Sequence, residues 1–272
     1  MIIFSANLHR FDIFNKRQVK LKDDQTKMIT STVGFIATAI GKTLSFYSSL
    51  LNIEPQTFLH DAEIIQILQL SPCSVAVIDE NFEIYEYYSD GKRTRKTFQF
   101  QKDDVWLRFI KYKGEIASVR VGKNGVIFDD IMIVPCNDLK SRDLATGLEH
   151  FAILNEKQLT FGGSNQRGQI PESNIDNVKL FCCTGWGTAW ITLDGAFFSY
   201  GFDTDWIDSD RIKNIIEKHD ICHLVGGNHF LVMASKKDLF WIGPDEFFEM
   251  ELDCEVKNIF ASQYDCFIDC SH

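Results

Sequence analysis

Proline is scarce in this chain, with 5 among 272 residues, and 17 glycines do not make up for it. Together they exclude a collagen-like or Pro/Gly-rich disordered polymer. Positive charge is also short: 28 Lys and Arg face 38 Asp and Glu, for a formal net charge of −10. That balance opposes a phosphate backbone, which is bound mainly through cations, so direct nucleic-acid binding is not expected. No stretch approaches the roughly 18 uninterrupted apolar residues of a membrane helix. Met1 to Phe14 lacks a basic segment leading into an apolar one, since His9, Arg10 and Asp12 interrupt it. The expectation is a chain of nucleus or cytoplasm, neither secreted nor membrane-bound.

Catalytic signatures are missing as well. There is no Gly-x-Ser-x-Gly elbow, no His-Glu-x-x-His and no Cys-x-x-Cys pair. Ile40-Gly41-Lys42-Thr43 ends like a phosphate-binding loop, but Ile36 stands where that pattern needs glycine. His219, Cys222, His223 and His229 lie close in sequence, yet neighbours such as Cys222 and His223 point to opposite faces of a strand. Asp203, Asp205, Asp208 and Asp210 lack the glycine and terminal Glu of a calcium hand. No enzymatic activity, cofactor or metal is expected.

What the chain has is aromatic bulk and repetition. Its 23 Phe and 5 Trp, within a hydrophobic fraction of 45%, suit a β-rich interior. One unit reads Ala145 to Leu154, a turn at Asn155-Glu156-Lys157, then Gln158 to Gly163. A second reads Thr184 to Leu193, turned by Asp194-Gly195 into Phe197 to Gly201, and Asp-Gly between apolar runs is a strong hairpin signal. A third reads Val225 to Ala234, turned at Ser235-Lys236-Lys237 into Leu239 to Gly243. Their leading glycines, Gly147, Gly185 and Gly226, recur at about the period of a propeller blade.

Three weaker hairpins extend the series toward the N-terminus: Ser31 to Tyr47 around Gly41-Lys42, Ser74 to Tyr85 around Asp79-Glu80-Asn81, and Trp106 to Phe128, turning at Gly122 to Gly125 into Val126 to Phe128. The chain also ends on half a unit, Val256 to Ala261 with Asp265 to Asp269, and begins on the other half, Ile2 to Asn7. The fold expected is all-β: a seven-bladed β-propeller in a single domain spanning 1–272, one blade closed by N- and C-terminal strands, which removes exposed sheet edges.

Between the second and third units, Asp208 to Lys218 has apolar residues at helical spacing behind a capping Asp or Ser, and reads as a short helix across a blade edge. The basic run Lys92 to Lys96 follows Asp90-Gly91 and reads as a solvated hairpin or a contact for acidic partners. Cys73, Cys136, Cys182 and Cys222 fall in apolar runs where a thiol packs as a small hydrophobe, so disulfides are not expected.

Gly162-Gly163-Ser164-Asn165-Gln166-Arg167-Gly168-Gln169-Ile170-Pro171 resembles the hallmark of the regulator-of-chromosome-condensation repeat, where a strand ends in glycine, then Asn, then Gly-Gln-Leu. Upstream, Gly147-Leu148-Glu149-His150 resembles that family's Gly-x-x-His, and Gly226-Gly227-Asn228-His229 repeats it. The match is clearest over Leu144 to Pro171 and fades before Asp143. It marks Gly147, His150, Gly162, Asn165, Gly168, Gln169, Gly226 and His229 as fold residues, with both histidines buried and hydrogen-bonded. A degenerate N-terminal half before Arg142-Asp143-Leu144 is similar to short members of the family. That similarity implies a non-enzymatic adaptor, monomeric within a hetero-complex, whose protein partner is a JmjC-domain 2-oxoglutarate oxygenase. Two other relationships stay open: exchange factor for a small GTPase, or partner of a zinc-ribbon protein in diphthamide synthesis and wobble-uridine modification. For partner binding the residues singled out are Trp186, Trp190, Asp203, Asp205 and Trp206, because Trp is enriched at binding hot spots. Core packing of Trp186 and Trp190 is the equally open alternative.

Overall fold

The computed structural model describes residues 2–5, 15–17, 28–32, 35–48, 55–71, 73–98, 100, 102, 104, 106–129, 131–135, 143–202, 204–244, 246–261 and 265–271. The chain divides into two compact units. Unit 1 comprises Met1–Val19, Ile110–Glu115 and Leu139–His272, and unit 2 comprises Lys20–Phe109 and Ile116–Asp138.

The described residues form seven antiparallel sheets and one helix. Strands β1 (Ile2–Ser5) and β2 (Asn15–Arg17) belong to a sheet completed by the far end of the chain. Strands β3 (Met28–Ser31), β4 (Phe35–Ile40), β5 (Thr43–Ser48) and β6 (Gln56–Leu59) form the next sheet. Then come β7 (Ile64–Ser71), β8 (Ser74–Asp79), β9 (Ile84–Tyr88) and β10 (Arg93–Lys96). A further four-stranded sheet holds β11 (Trp106–Tyr112), β12 (Glu115–Gly122), β13 (Gly125–Phe128) and β14 (Ile131–Pro135).

Two three-stranded sheets follow. The first is β15 (Leu144–Thr146), β16 (His150–Asn155) and β17 (Gln158–Gly163); the second is β18 (Val178–Cys183), β19 (Gly187–Thr192) and β20 (Phe197–Gly201). Helix α1 (Ser209–Lys218) precedes the sheet β21 (His223–Gly226), β22 (Leu231–Ala234), β23 (Asp238–Ile242) and β24 (Phe247–Glu251). Last come β25 (Glu255–Ala261) and β26 (Asp265–Ser271), and β26 pairs with both β25 and β1. The expected union of the two chain ends in one sheet is therefore present.

Each expected hairpin forms: β4–β5, β8–β9, β12–β13, β16–β17, β19–β20 and β22–β23. In the second of these the return strand starts at Ile84 rather than Phe82. Phe82 sits at φ 62 inside the turn, where Asp79 Oδ1 accepts hydrogen bonds from the Asn81 and Glu83 amides at 2.9 and 3.0 Å.

The second strand of a sheet is the most deeply buried. Every residue of β8, β19 and β22 is buried, and each carries an apolar run, Val75–Ile78, Ala189–Ile191 and Leu231–Ala234, whereas β20 and β24 alternate between half-buried and exposed. The cause is face-to-face stacking: each hydrophobic cluster lies between two successive sheets. In unit 2, Ala37, Leu44 and Phe46 meet Val75, Val77 and Tyr87, while Ala76, Ile78 and Ile84 meet Leu107 and Phe109. In unit 1, Ala152 and Leu159 meet Phe181 and Trp190. Val232 and Trp241 meet Val256, Ile259 and Ile268. A buried Phe or Leu of this kind contributes roughly 1.5–3 kcal/mol.

Helix α1 confirms the expected capped segment. Asp208 is the N-cap and accepts from the Arg211 amide at 3.0 Å. Its buried Ile212 and Ile215 fill the space between β19 and β22–β23, beside Ile191, Leu231, Met233 and Phe240.

The cysteines depart from expectation in three places. Cys182 is buried, but Cys73 stands exposed in the β7–β8 turn and Cys222 exposed just before β21. Cys254 is disulfide-bonded rather than reduced. Cys136 lies outside the described residues.

Candidate functional site

At one end of the unit 1 sheets, the turns leading into β16, β19 and β22 share one geometry. An amide donates to the carbonyl three residues on: Gly147 to His150 at 2.9 Å, Thr184 to Gly187 at 2.7 Å and Gly227 to Phe230 at 3.0 Å. Backbone bonds tie neighbouring turns together. The Lys111 amide donates to the Leu148 carbonyl at 2.7 Å, Leu148 to Gly185 at 3.1 Å, and Gly185 to Gly227 and Asn228 at 3.2 and 3.1 Å. The loop face thus rests on a hydrogen-bonded inner rim, which satisfies backbone groups that no sheet ladder reaches.

This rim corrects the register of the repeat. Gly227, not Gly226, is the counterpart of Gly147, and Phe230, not His229, is the counterpart of His150. The ring contacts agree: a Cβ on Gly147 would lie 2.3 Å from the His150 ring, and a Cβ on Gly227 would lie 2.0 Å from the Phe230 ring. His229 is accordingly exposed rather than buried, and Phe230 stacks on Trp241 with centroids 4.1 Å apart. Gly226 ends β21, backed by the Cys183 carbonyl of the neighbouring sheet.

His150 is buried, as expected of a fold residue. Its Nε2 lies 3.1 Å from Thr188 Oγ1, and that hydroxyl donates to the Gln169 carbonyl at 3.2 Å. The hydroxyl has one proton to give, so the imidazole carries the hydrogen on Nε2. Burial pushes its pKa down to about 4, partly offset by a hydrogen bond with the Gly187 backbone.

The segment after β17 also behaves as its residue types imply. The Asn165 side chain bridges the loop, Oδ1 accepting from the Ile170 amide at 2.8 Å and Nδ2 donating to the Ile170 carbonyl at 3.1 Å. Gly168 takes a φ of 67°. Buried Gln169 accepts the Arg167 amide on Oε1 at 2.8 Å. Gly162 lies against the Phe151 ring, leaving no room for a side chain.

These braces aim Arg167 outward. Its guanidinium lies 4.0 Å from the centroid of Trp186 and 5.7 Å from that of Phe202, a cation held by two aromatic rings. Phe202 is 67% exposed. Gly201 sets the approach of the two loops: its φ is 131°, and a Cβ there would fall 2.4 Å from the Trp186 carbonyl. Thr204 Oγ1 donates to the Gly201 carbonyl at 3.0 Å, and Asp205 stands exposed just beyond.

The sequence-derived anchor set is therefore only partly assembled. Trp186 belongs to the surface cluster. Trp190 belongs to the interior, 6% exposed among Ala152, Leu159, Phe181 and Cys183. Trp206 is half-buried against the cluster around α1. Asp203 lies outside the described residues. Arg167 and Phe202 were not singled out from sequence; the alternation Phe198-x-Tyr200-x-Phe202 was the available signal.

Other candidates resolve into structural pairs. Every cation of the basic run meets an acid: Lys92 pairs with Asp90 at 2.8 Å, Arg93 with Asp61 at 2.7 Å, Arg95 with Glu83 at 2.5 Å and Lys96 with Glu86 at 2.6 Å. Burial alone would raise the Glu86 pKa, but hydrogen bonds from Lys96, Ser74 and Tyr88 hold it below the ordinary carboxylate range. The run is therefore an outer strand and its turn, each cation of which is paired with a carboxylate. In unit 2 a buried chain links Asp79, His60 and Tyr87, with His60 Nδ1 2.7 Å from the Tyr87 hydroxyl. Among the described residues no group of three His, Cys, Asp or Glu converges as a metal site; His219 instead pairs with Asp238 at 3.1 Å. Among the described residues no helix is long and apolar enough to cross a membrane.

No protein-family model and no curated protein sequence matches the chain. Solved structures do. Human WBSCR16 superposes with a TM-score of 0.62 at 11% identity, over 100% of this chain and 99% of that one. Prp20p of Saccharomyces cerevisiae, characterised for binding to Gsp1p and histones, gives a TM-score of 0.60 at 12% identity, over 99% of this chain and 90% of that one. PorZ of the Porphyromonas gingivalis type-IX secretion system gives 0.51 at 14% identity; the match covers 88% of this chain but only 34% of PorZ. At such identities the likeness shows the fold alone, and that fold is the β-propeller of the regulator-of-chromosome-condensation type.

Proposed function

From a chain with the propeller fold of the regulator-of-chromosome-condensation proteins, we propose a non-enzymatic scaffold that binds a protein partner through the loop face of unit 1. On this reading the seven sheets are seven blades of a single domain. The observation that carries the proposal is the Arg167 guanidinium held between Trp186 and exposed Phe202. Arg and Trp dominate binding hot spots when a rigid frame presents them, and here the frame is the hydrogen-bonded rim. By the resemblance of its repeats, the partner is a JmjC-domain 2-oxoglutarate oxygenase, met in nucleus or cytoplasm as a hetero-complex.

The test is affinity purification of the intact protein beside Arg167→Ala and Trp186→Ala. A stoichiometric oxygenase captured by the parent and lost from both variants, by roughly thirtyfold or more for a hot spot, supports the proposal. Equal capture by the variants, or no partner at all, overturns it. A second reading, exchange factor for a small GTPase, is favoured by the fold shared with the Gsp1p-binding yeast protein. Stimulated nucleotide release from a candidate GTPase would establish it in place of the first.

A further inference from the structure

The outermost strand of a four-stranded sheet normally covers the third, and among the described residues the sheet β18–β19–β20 has no fourth strand. In the neighbouring sheet, β23 pairs with β24 on its outer edge, and α1, which also lies against β20, packs over the same face as Phe240 and Ile242. Those two residues are 0% and 4% exposed. At the equivalent places in β20, judged by their partners on the second strand, stand Phe198 and Tyr200, which are 47% and 39% exposed. Among the described residues no strand pairs with the outer edge of β20.

The exposed side chains form a row. Phe198 and Tyr200 alternate along β20, so they share one face of the strand, and Phe202 follows just beyond its end. The row is built on the interior, since Phe198 stacks on buried Trp190 with centroids 5.7 Å apart. An extended segment laid along a free edge places its alternate side chains beside such a row, and main-chain hydrogen bonds supply the pairing. A long aromatic edge left bare is a template for pairing unless something occupies it.

Charge selects the occupant. From Leu193 to Asp210 the chain carries Asp194, Asp203, Asp205, Asp208 and Asp210 but no Lys or Arg. Aromatic faces attract cations, and this protein demonstrates it at the end of the row, where its own Arg167 lies between Trp186 and Phe202. We propose that the outer edge of β20 receives an extended arginine- or lysine-bearing segment of a protein partner as a fourth strand, its alternate cations seated on Phe198 and Tyr200. This deepens the scaffold reading and rests on it for the partner, but not for the binding measurement.

The probe is a short fluorescein-labelled peptide alternating arginine with valine, titrated into the intact protein by fluorescence anisotropy. Three controls share its length: arginine replaced by glutamate, alternate backbone amides methylated, and arginine replaced by citrulline. The arginine peptide is expected to bind and the other three to bind at least about tenfold more weakly. Phe198→Ser with Tyr200→Ser is expected to lose binding by a similar factor while the far-UV circular-dichroism spectrum and a cooperative unfolding transition are retained. Undiminished binding of the methylated peptide would replace strand addition by a helix or a diffuse charge contact, and so overturn the proposal. Undiminished binding by the double variant overturns it as well. Partner capture through Arg167 and Trp186 with no peptide binding refutes this inference alone; peptide binding without a captured partner refutes only the scaffold reading.

Discussion

His150 should make the stability of unit 1 depend on pH in a way that can be isolated from every other titration. The perturbation is His150→Phe, a substitution the molecule already carries at the equivalent position, where Phe230 packs over Gly227 as His150 packs over Gly147. The imidazole pKa is pushed from 6.5 down to about 4 by burial. As pH falls, the unfolded chain therefore takes up this proton before the folded one. The contribution of His150 is complete above about pH 6.5 and is lost as pH drops toward about 4, so stability rises with pH inside that window. At about 1.4 kcal/mol for each pH unit separating the folded and unfolded titrations, the full loss approaches roughly 3 kcal/mol, of which about 2 kcal/mol falls between pH 7 and pH 5. Carboxylates contribute to both proteins alike, so the difference between their urea-unfolding free energies reports His150. That difference should be flat above neutrality and fall against the parent below it, with the His150 ring proton signals in NMR unmoved until near pH 4. Parallel stability curves, or an imidazole titrating near 6.5, would refute the lowering of the His150 pKa by burial.

Two further outcomes follow from the packing. Gly147→Ala sets a Cβ 2.4 Å from the Thr184 carbonyl oxygen and 2.3 Å from the His150 ring, and should cost about 3 kcal/mol in urea unfolding; Gly168→Ala, with φ 67° and open space around it, should cost only about 1 kcal/mol. Equal costs would mean that the inner rim is not tightly packed. Deleting 265–272 removes β26, the strand that joins β1 to β25, and should abolish the cooperative far-UV circular-dichroism transition of unit 1. A retained cooperative transition would show that the terminal sheet contributes little.

The sequence by itself determined the elements that are buried on both faces. β8, β19 and β22 carry unbroken apolar runs because sheets stack against them from either side, and glycine-bearing turns punctuate those runs at a blade's spacing. It likewise determined the Asn165 and Gln169 loop, whose side chains serve backbone groups only a few residues away. The outer strands were illegible, since a strand covered on one side, such as β24 or β10, shows only a short mixed pattern. Tertiary structure alone decided the rest. Whether His229 or Phe230 enters the core turns on a one-residue register that sequence spacing permits either way, and the hydrogen bond from Gly227 to Phe230 settles it. Trp186 and Trp190 look alike in sequence, yet a strand sends one to the loop face and the other between two sheets. The seat of Arg167 between Trp186 and Phe202 joins three separate connections, and local pattern is silent about contacts between segments so far apart in the chain.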